Sequence, residues 1–157
     1  MVVKFDPDFT IRRATASDRD DILHLLDFYY TEWDIWQRDP PAQVRNYLQH
    51  PTLGYLLALC DGQPAGCVLL RPLPAIPAAA ECKRLFVAPE FRGRRLADAL
   101  MQAAEDQARA AGLLWLYLDT KPEFAAAIAL YRRRGYEEVP RFNDNAQATL
   151  FLRLPLG

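Results

Sequence analysis

Strong net charge is missing from this 157-residue chain: 19 Lys and Arg face 20 Asp and Glu, for a formal charge of −1 at pH 7. That excludes a global attraction to nucleic acid or to an anionic membrane, so any basic site is local. Long apolar runs are missing too. Charge or proline interrupts every candidate before the roughly 18 residues that a membrane span needs. The opening MVVKFDPDF lacks the hydrophobic region of a secretory signal, which points to a cytoplasmic protein. Cysteine is scarce. Cys60, Cys67 and Cys82 are odd in number, have no metal-ligand spacing, and each sits in an apolar run; they read as buried free thiols. The only two histidines, His24 and His50, fall on the first helix and at the end of the second, and read as structural or solvated. No metal is implied. Internal repeats and low-complexity tracts are also absent, which leaves one domain over residues 1–157.

What is present is ordinary globular material, 51% hydrophobic and 25% charged, enough for one core. Phe9 to Ala14 alternates like a short strand. TASDRDDILHLLDFYYTEW then starts a helix: Thr15 and Ser17 can cap it, acids fill its first turn, and Ile22, Leu25, Leu26 and Tyr29 share a face. DPPAQVRNYLQHP is a second short helix. GYLLALC and AGCVLLRPL flank Asp61-Gly62-Gln63-Pro64, a hairpin signal. CKRLFVAP is a strand ending at Pro89. Arg94 to Ala111 is the clearest helix, closed by Gly112. LLWLYLDT is a nearly all-apolar strand, as expected where both faces are covered. EFAAAIALYRRRG is a helix closed by Gly135, and YEEV and ATLFLRL are two last strands. The strand–helix–strand–helix middle implies a right-handed crossover and at least one parallel pair. The hairpins imply antiparallel neighbours. The fold class is α/β (α+β), a mixed, mostly antiparallel sheet of about six to seven strands with about four flanking helices.

EFRGRRLADAL is the odd stretch. Three arginines crowd around Gly93 at the start of a helix, where the helix already presents unpaired N–H groups and partial positive charge. Something negative belongs there. A strand, a glycine turn and a helix N-terminus make an anion site, and Arg92, Arg94 and Arg95 add forked donors suited to phosphate. The bland alternative is a set of surface pairs with Asp98, each worth about 0.3–0.5 kcal/mol. The turn is neither a Walker loop, since it lacks Gly-Lys-Ser/Thr, nor a dinucleotide fingerprint, since it has one glycine rather than three.

In its surroundings, ECKRLFVAPEFRGRRLADALMQAAEDQARAAGLLWLYLDT closely resembles the central motif of the GNAT superfamily of acyl-CoA-dependent N-acetyltransferases. AAAIALYRRRGYEEV resembles the motif that follows it in that family, and the two together span about Glu81 to Val139. The resemblance implies a GNAT fold whose sheet is splayed at its central parallel pair. It also implies acetyl-CoA as acyl donor and transfer of the acetyl group to a primary amine by direct attack in a ternary complex. Coenzyme A pyrophosphate would sit on the main-chain N–H groups of Arg92, Gly93, Arg94, Arg95, Leu96 and Ala97, with the side chains of Arg92 and Arg94 in reach. Backbone groups of Leu85, Phe86 and Val87 would pair with the pantetheine arm like an added strand. One N–H near Phe86 or Val87 would polarise the thioester carbonyl; losing such a donor typically costs about 2.7–4 kcal/mol. Tyr131 matches the family tyrosine that protonates the departing thiolate. Glu81 resembles a glutamate that acts as base in some members, with a relayed water or another carboxylate as competitors.

The chain departs from the family pattern twice. Arg95 stands where the family usually has glycine; a β-carbon there suits a helical backbone but crowds the phosphate approach. Ala125 stands where an asparagine often touches the pantetheine arm. On the acceptor side the family uses the first two helices and their connection. Here that region holds Phe28, Tyr29, Tyr30, Trp33 and Trp36 beside Asp27, Glu32, Asp34 and Asp39, suited to an amine by cation–π contact and charge pairing. The plainer reading puts half these aromatics in the core and the acids in water. Phe142, Asn143 and Asn145 are candidates for the opposite wall. The acceptor, a small molecule or a peptide amine, is not specified. Exposed strand edges near the C terminus are compatible with a homodimer. Two competing readings are a non-catalytic acyl-CoA-binding sensor, with Tyr131 only structural, and a nucleotide- or phosphate-binding regulator using the arginine turn alone.

Overall fold

The structure, a computed structural model, describes the backbone of residues 3–6 and the whole of residues 9–157. Eight strands form one sheet: β1 (Val3–Asp6), β2 (Phe9–Arg13), β3 (Gly54–Cys60), β4 (Gln63–Pro72), β5 (Ala79–Val87), β6 (Trp115–Thr120), β7 (Glu137–Glu138) and β8 (Leu150–Pro155). Four helices flank it: α1 (Arg19–Trp33), α2 (Pro41–Leu48), α3 (Leu96–Ala110) and α4 (Ala125–Arg133). The sheet order is β1-β2-β3-β4-β5-β6-β8-β7, antiparallel throughout except for β5 and β6. This is one strand more than the hydrophobic pattern gives. The addition is β1, too short to show an alternation.

Helices cover both faces of the sheet. On one side α3 and α4 bury Leu100, Met101, Ala104 and Leu130 against Cys82, Leu116 and Leu118. On the other, α1 and α2 bury Ile22, Leu26, Val44 and Leu48 against Leu57, Leu69 and Phe86. Central strands so covered need apolar residues on both faces, and β3 and β4 supply them almost without a break. Asp61 and Gly62 both take positive φ, 50° and 78°, the two-residue turn whose twist matches an antiparallel hairpin. All three cysteines are buried and free, as their apolar settings predict.

The feature that positions the site is a break in the sheet. β5 and β6 pair only from Ala79↔Trp115 to Cys82↔Leu118. Beyond that, β5 keeps only β4 and β6 keeps only β8. The cause lies in β5. Cys67 faces Phe86 and Leu69 faces Lys83, so Arg84 and Leu85 together oppose the single residue Val68, and Arg84 has φ 60°. Such a bulge bends its strand and shifts side-chain phase by one residue. Lys83 and Arg84 therefore both point toward the α1 side, and the carboxyl ends of β5 and β6 diverge.

Candidate active site

A cavity of about 900 Å³ opens where the strands diverge, between the N-terminal end of α3 and α4. Its walls include Leu85, Phe86 and Val87 of β5, Gly93, Arg95, Leu96 and Ala97 of the arginine turn, and Ala125, Ala127 and Arg133 of α4. The two helices are tied together by Arg134. It reaches Glu105 at 2.7 and 2.9 Å, Asp98 at 2.6 Å and Gln102 at 2.7 Å, and the Tyr136 hydroxyl donates to Glu105 at 3.0 Å. The edge of β5 that lines this cavity has no strand partner past Cys82, so its backbone groups are available to an extended ligand.

The arginine turn differs from its sequence reading in one respect. The helix begins at Leu96, not Arg94, and Arg95 is its N-cap with φ 61° and ψ 26°. Gly93 also has positive φ, 81°. The glycine usual at position 95 thus answers a left-handed backbone, not only a crowded phosphate approach. Alternating left-handed residues curl successive N–H groups inward, an anion-binding concavity continued by the helix N-terminus. Among the described residues, no acceptor is met by the N–H groups of Gly93 to Ala97. The arginine side chains divide their duties. Arg92 is engaged with Glu32, donates to the Val87 carbonyl at 2.9 Å and lies over the Phe86 ring. Arg94 lies back between the Phe9 and Phe91 rings, away from the cavity. Arg95 and Arg133 line the cavity together with Arg92, which does so from within its contacts to Glu32 and Val87.

Two small chambers lead on from the large one through the gap. The first, about 50 Å³, is lined by Tyr29, Cys82, Arg84, Asp119 and Tyr131. The second, about 40 Å³, adds Ile35, Gln37, Lys121, Asn145 and Gln147. Leu85, Phe124 and Ala127 border both the large cavity and the first chamber. Phe124 borders all three spaces, stacked on Tyr29 at 6.2 Å and against Trp33 at 4.5 Å. The Tyr131 hydroxyl has no protein partner among the described residues. No fully buried side-chain oxygen or nitrogen there lacks one, so this hydroxyl opens onto the chamber. Burial pushes the Tyr131 phenol well above its ordinary pKa, which keeps it protonated. Burial pushes the Cys82 thiol up as well, against any nucleophilic use.

Glu81 takes a different place from the one its motif position suggests. It is 2% exposed, borders none of these spaces, and accepts from Arg71 at 2.9 Å and Asn143 at 3.0 Å with Lys83 at 3.6 Å. The carboxylate that does reach the chambers is Asp119. It accepts from Lys83 at 3.1 Å on both oxygens, from Asn143 at 2.6 Å and from Asn145 at 3.4 Å. Phe142 packs on Tyr117 and Phe151 instead. Of the acceptor-side aromatics, Tyr29 and Trp33 border the cavities. Tyr30 is buried under Arg84 and accepts the Asp39 N–H at 2.8 Å. Trp36 does not join them: it is 65% exposed, held only through its backbone by Gln147. The sequence reading missed Phe124, Lys121 and Gln147. They sit in connections without periodicity, and only the folded chain brings them to the gap.

Comparison with known proteins agrees with this geometry. Residues 19–136 match the family model described as "Acetyltransferase (GNAT) family". The chain is 35% identical over 158 residues to an IAA acetyltransferase of Azospirillum brasilense, covering 96% of this chain and 99% of that one. It is 30% identical over 132 residues to an aminoalkylphosphonate N-acetyltransferase of Salmonella typhimurium, covering 82% and 84%. Its fold superposes on the PaiA N-acetyltransferase of Thermoplasma acidophilum, solved in complex with coenzyme A, with TM-score 0.76 at 16% identity over 94% of this chain and 98% of that one. These matches show that the chain belongs to the GNAT family of acetyltransferases.

Proposed function

We propose that this enzyme transfers the acetyl group of acetyl-CoA to a primary amine by direct attack within a ternary complex. One observation carries the reading: the large cavity, with its anion-binding turn, runs through the strand gap into a chamber that presents the Tyr131 hydroxyl. A donor with a diphosphate at one end and a thioester at the other fits that path. The N–H groups of Gly93 to Ala97 and the Arg95 guanidinium hold the diphosphate, while the open edge of β5 pairs with the arm. A free N–H at Phe86 or Val87 stabilises the oxyanion that develops on the thioester carbonyl. The amine nitrogen forms the new bond to the carbonyl carbon and loses its extra proton to water, the C–S bond breaks, and the departing sulfur takes the Tyr131 proton. Solvent restores that proton.

Asp119 supplies fixed negative charge that draws the acceptor ammonium into the chamber. Its charge is already paired with Lys83, and its Oδ2 already accepts from Lys83, Asn143 and Asn145, so the ammonium proton is assigned to water rather than to this carboxylate. Glu81 acts at one remove, fixing Lys83 and Asn143 around Asp119. The relatives named for acetyl transfer, and the coenzyme A held by the Thermoplasma protein, support the donor assignment. A non-catalytic sensor would not need an open phenol facing the gap. The test is release of free thiol from acetyl-CoA against a broad amine library. Turnover with at least one amine class is expected; tight acetyl-CoA binding with no thiol release from any amine would refute the assignment.

A further inference from the structure

We propose that the acceptor is a small zwitterionic amine, its anionic group held by Arg84 and Lys121 and its nitrogen aimed past Asp119 at the donor. The proposal rests on the acetyl-transfer reading and adds the substrate class. Arg84 carries it. Its side chain is 5% exposed and sits at the bulge, in a left-handed conformation that a β-carbon resists. Nε and Nη2 each donate to Asp39 at 3.3 Å. Asp39 is held in turn by the Tyr55 hydroxyl at 2.8 Å, and the Tyr30 ring lies beneath the guanidinium. That leaves Nη1 without a protein acceptor among the described residues, and it opens onto the chambers that Arg84 lines. A guanidinium oriented by one carboxylate and open on its other side is a fork for a second oxyanion.

The neighbouring charges complete a two-signed site. Lys121 borders the far chamber. Its Nζ donates to the Trp33 carbonyl at 2.6 Å and lies 3.3 Å from Glu123, leaving one donor free. Asp119, which lines both chambers with its partner Lys83 and shares the first with Tyr131, carries the opposite sign for an ammonium. Size sets the other limit. Gln147 ties the beginning of the α1–α2 connection to the segment before β8, accepting from the Trp36 N–H at 2.8 Å and donating to the Asp34 carbonyl at 2.7 Å. The chambers behind this latch, about 40–50 Å³ each, admit a few heavy atoms and not a polypeptide segment. An amino carboxylate and an aminoalkylphosphonate share the required chemistry.

Thiol release is to be compared for amino carboxylates, aminoalkylphosphonates, length-matched alkylamines lacking the anion, a linear polyamine and a lysine-containing peptide. The expected result is a kcat/KM at least tenfold higher for one anionic arm than for its uncharged match. In Arg84→Gln, and independently in Lys121→Met, that ratio should collapse toward one, chiefly through KM. Coenzyme A affinity and melting temperature, measured alongside, separate this from misfolding. The two anionic arms tell carboxylate from phosphonate. Equal or better turnover of the uncharged amine, the polyamine or the peptide overturns the zwitterion proposal and leaves acetyl transfer standing. So does a ratio that survives both substitutions in folded protein. Absence of thiol release from every amine overturns both.

Discussion

Replacing Arg95 by glycine should make the enzyme more stable and a weaker binder of coenzyme A. Arg95 caps α3 with φ 61° and ψ 26°. For an L-residue that conformation costs roughly 1–2 kcal/mol. Glycine removes this strain but returns roughly 0.4–1 kcal/mol to the unfolded chain as conformational freedom. The balance favours the variant by up to about 1 kcal/mol, a rise in Tm of about 2–4 °C for a chain of this size. Binding moves the other way. The exposed guanidinium lines the cavity where the diphosphate is placed, and a surface charge-assisted contact is worth about 1 kcal/mol, or about fivefold in Kd, shrinking as salt rises. Arg95→Ala separates the two effects: it loses the same guanidinium but keeps the β-carbon, so Kd should rise without the gain in Tm. Gly93→Ala is the reciprocal case. A β-carbon there meets nothing within 4 Å, so its whole penalty, about 1 kcal/mol, is backbone strain at φ 81°. Thermal melting of the apo proteins and calorimetric titration with coenzyme A read both quantities. If Arg95→Gly melts below the wild type, the left-handed assignment fails. If Kd is unchanged in both Arg95 variants at low salt, the guanidinium does not touch the diphosphate.

Tyr131→Phe should lower kcat by about 10²-fold, the low end for general acids, with little change in acetyl-CoA affinity; unchanged turnover from pH 7 to 9 would remove the acid role. If the ammonium proton goes to water, the alkaline rise of the rate should follow the pKa of the amine used, and Glu81→Gln should leave that limb in place. A limb that is independent of amine pKa and shifts in Glu81→Gln would return the base role to Glu81. Far from the site, Arg12 pairs with Asp18 at 2.7 and 2.9 Å; this pair, helped by the Thr15 N–H, pulls the Asp18 carboxyl down to about 2. A lowered folded-state pKa stabilises above the unfolded value near 4 and loses that contribution as pH falls toward 2. Asp18→Asn should therefore cost about 2 kcal/mol at neutral pH, measured by urea unfolding, with the gap to wild type closing between pH 4 and 2.

Much of the frame was legible because it follows from short-range rules. The run of apolar residues in β3, β4 and β6, the turn at Asp61-Gly62, and the glycine stops after α3 and α4 are local signals with local causes. The same holds for the arginine turn, which needs only a strand, a glycine and a helix start. Even so, the left-handed state of Arg95 was hidden, because an arginine advertises nothing about φ. The acceptor side was legible as a collection of aromatics and acids, but not as a geometry. Tyr29 and Trp36 lie seven positions apart on one stretch, yet one borders the chambers and the other faces solvent.

By itself, then, the sequence determined the element order, the parallel pair with its crossover, the glycine-arginine turn that opens α3 and the place of Tyr131 on α4. Each depends on spacing along the chain. Tertiary structure alone decided how the charges are shared out. Glu81, Lys83 and Asp119 come from two strands that part company after Cys82, and Asn143 and Gln147 arrive from a connection more than twenty residues beyond Asp119. Glu81 and Asp119 face the same side, and Asp119 reaches the chamber because it lies beyond the last paired residues, where the strands part. The bulge at Arg84 brings two consecutive basic residues to one face. No periodicity in the sequence announces it, because a bulge is defined by the strand across from it.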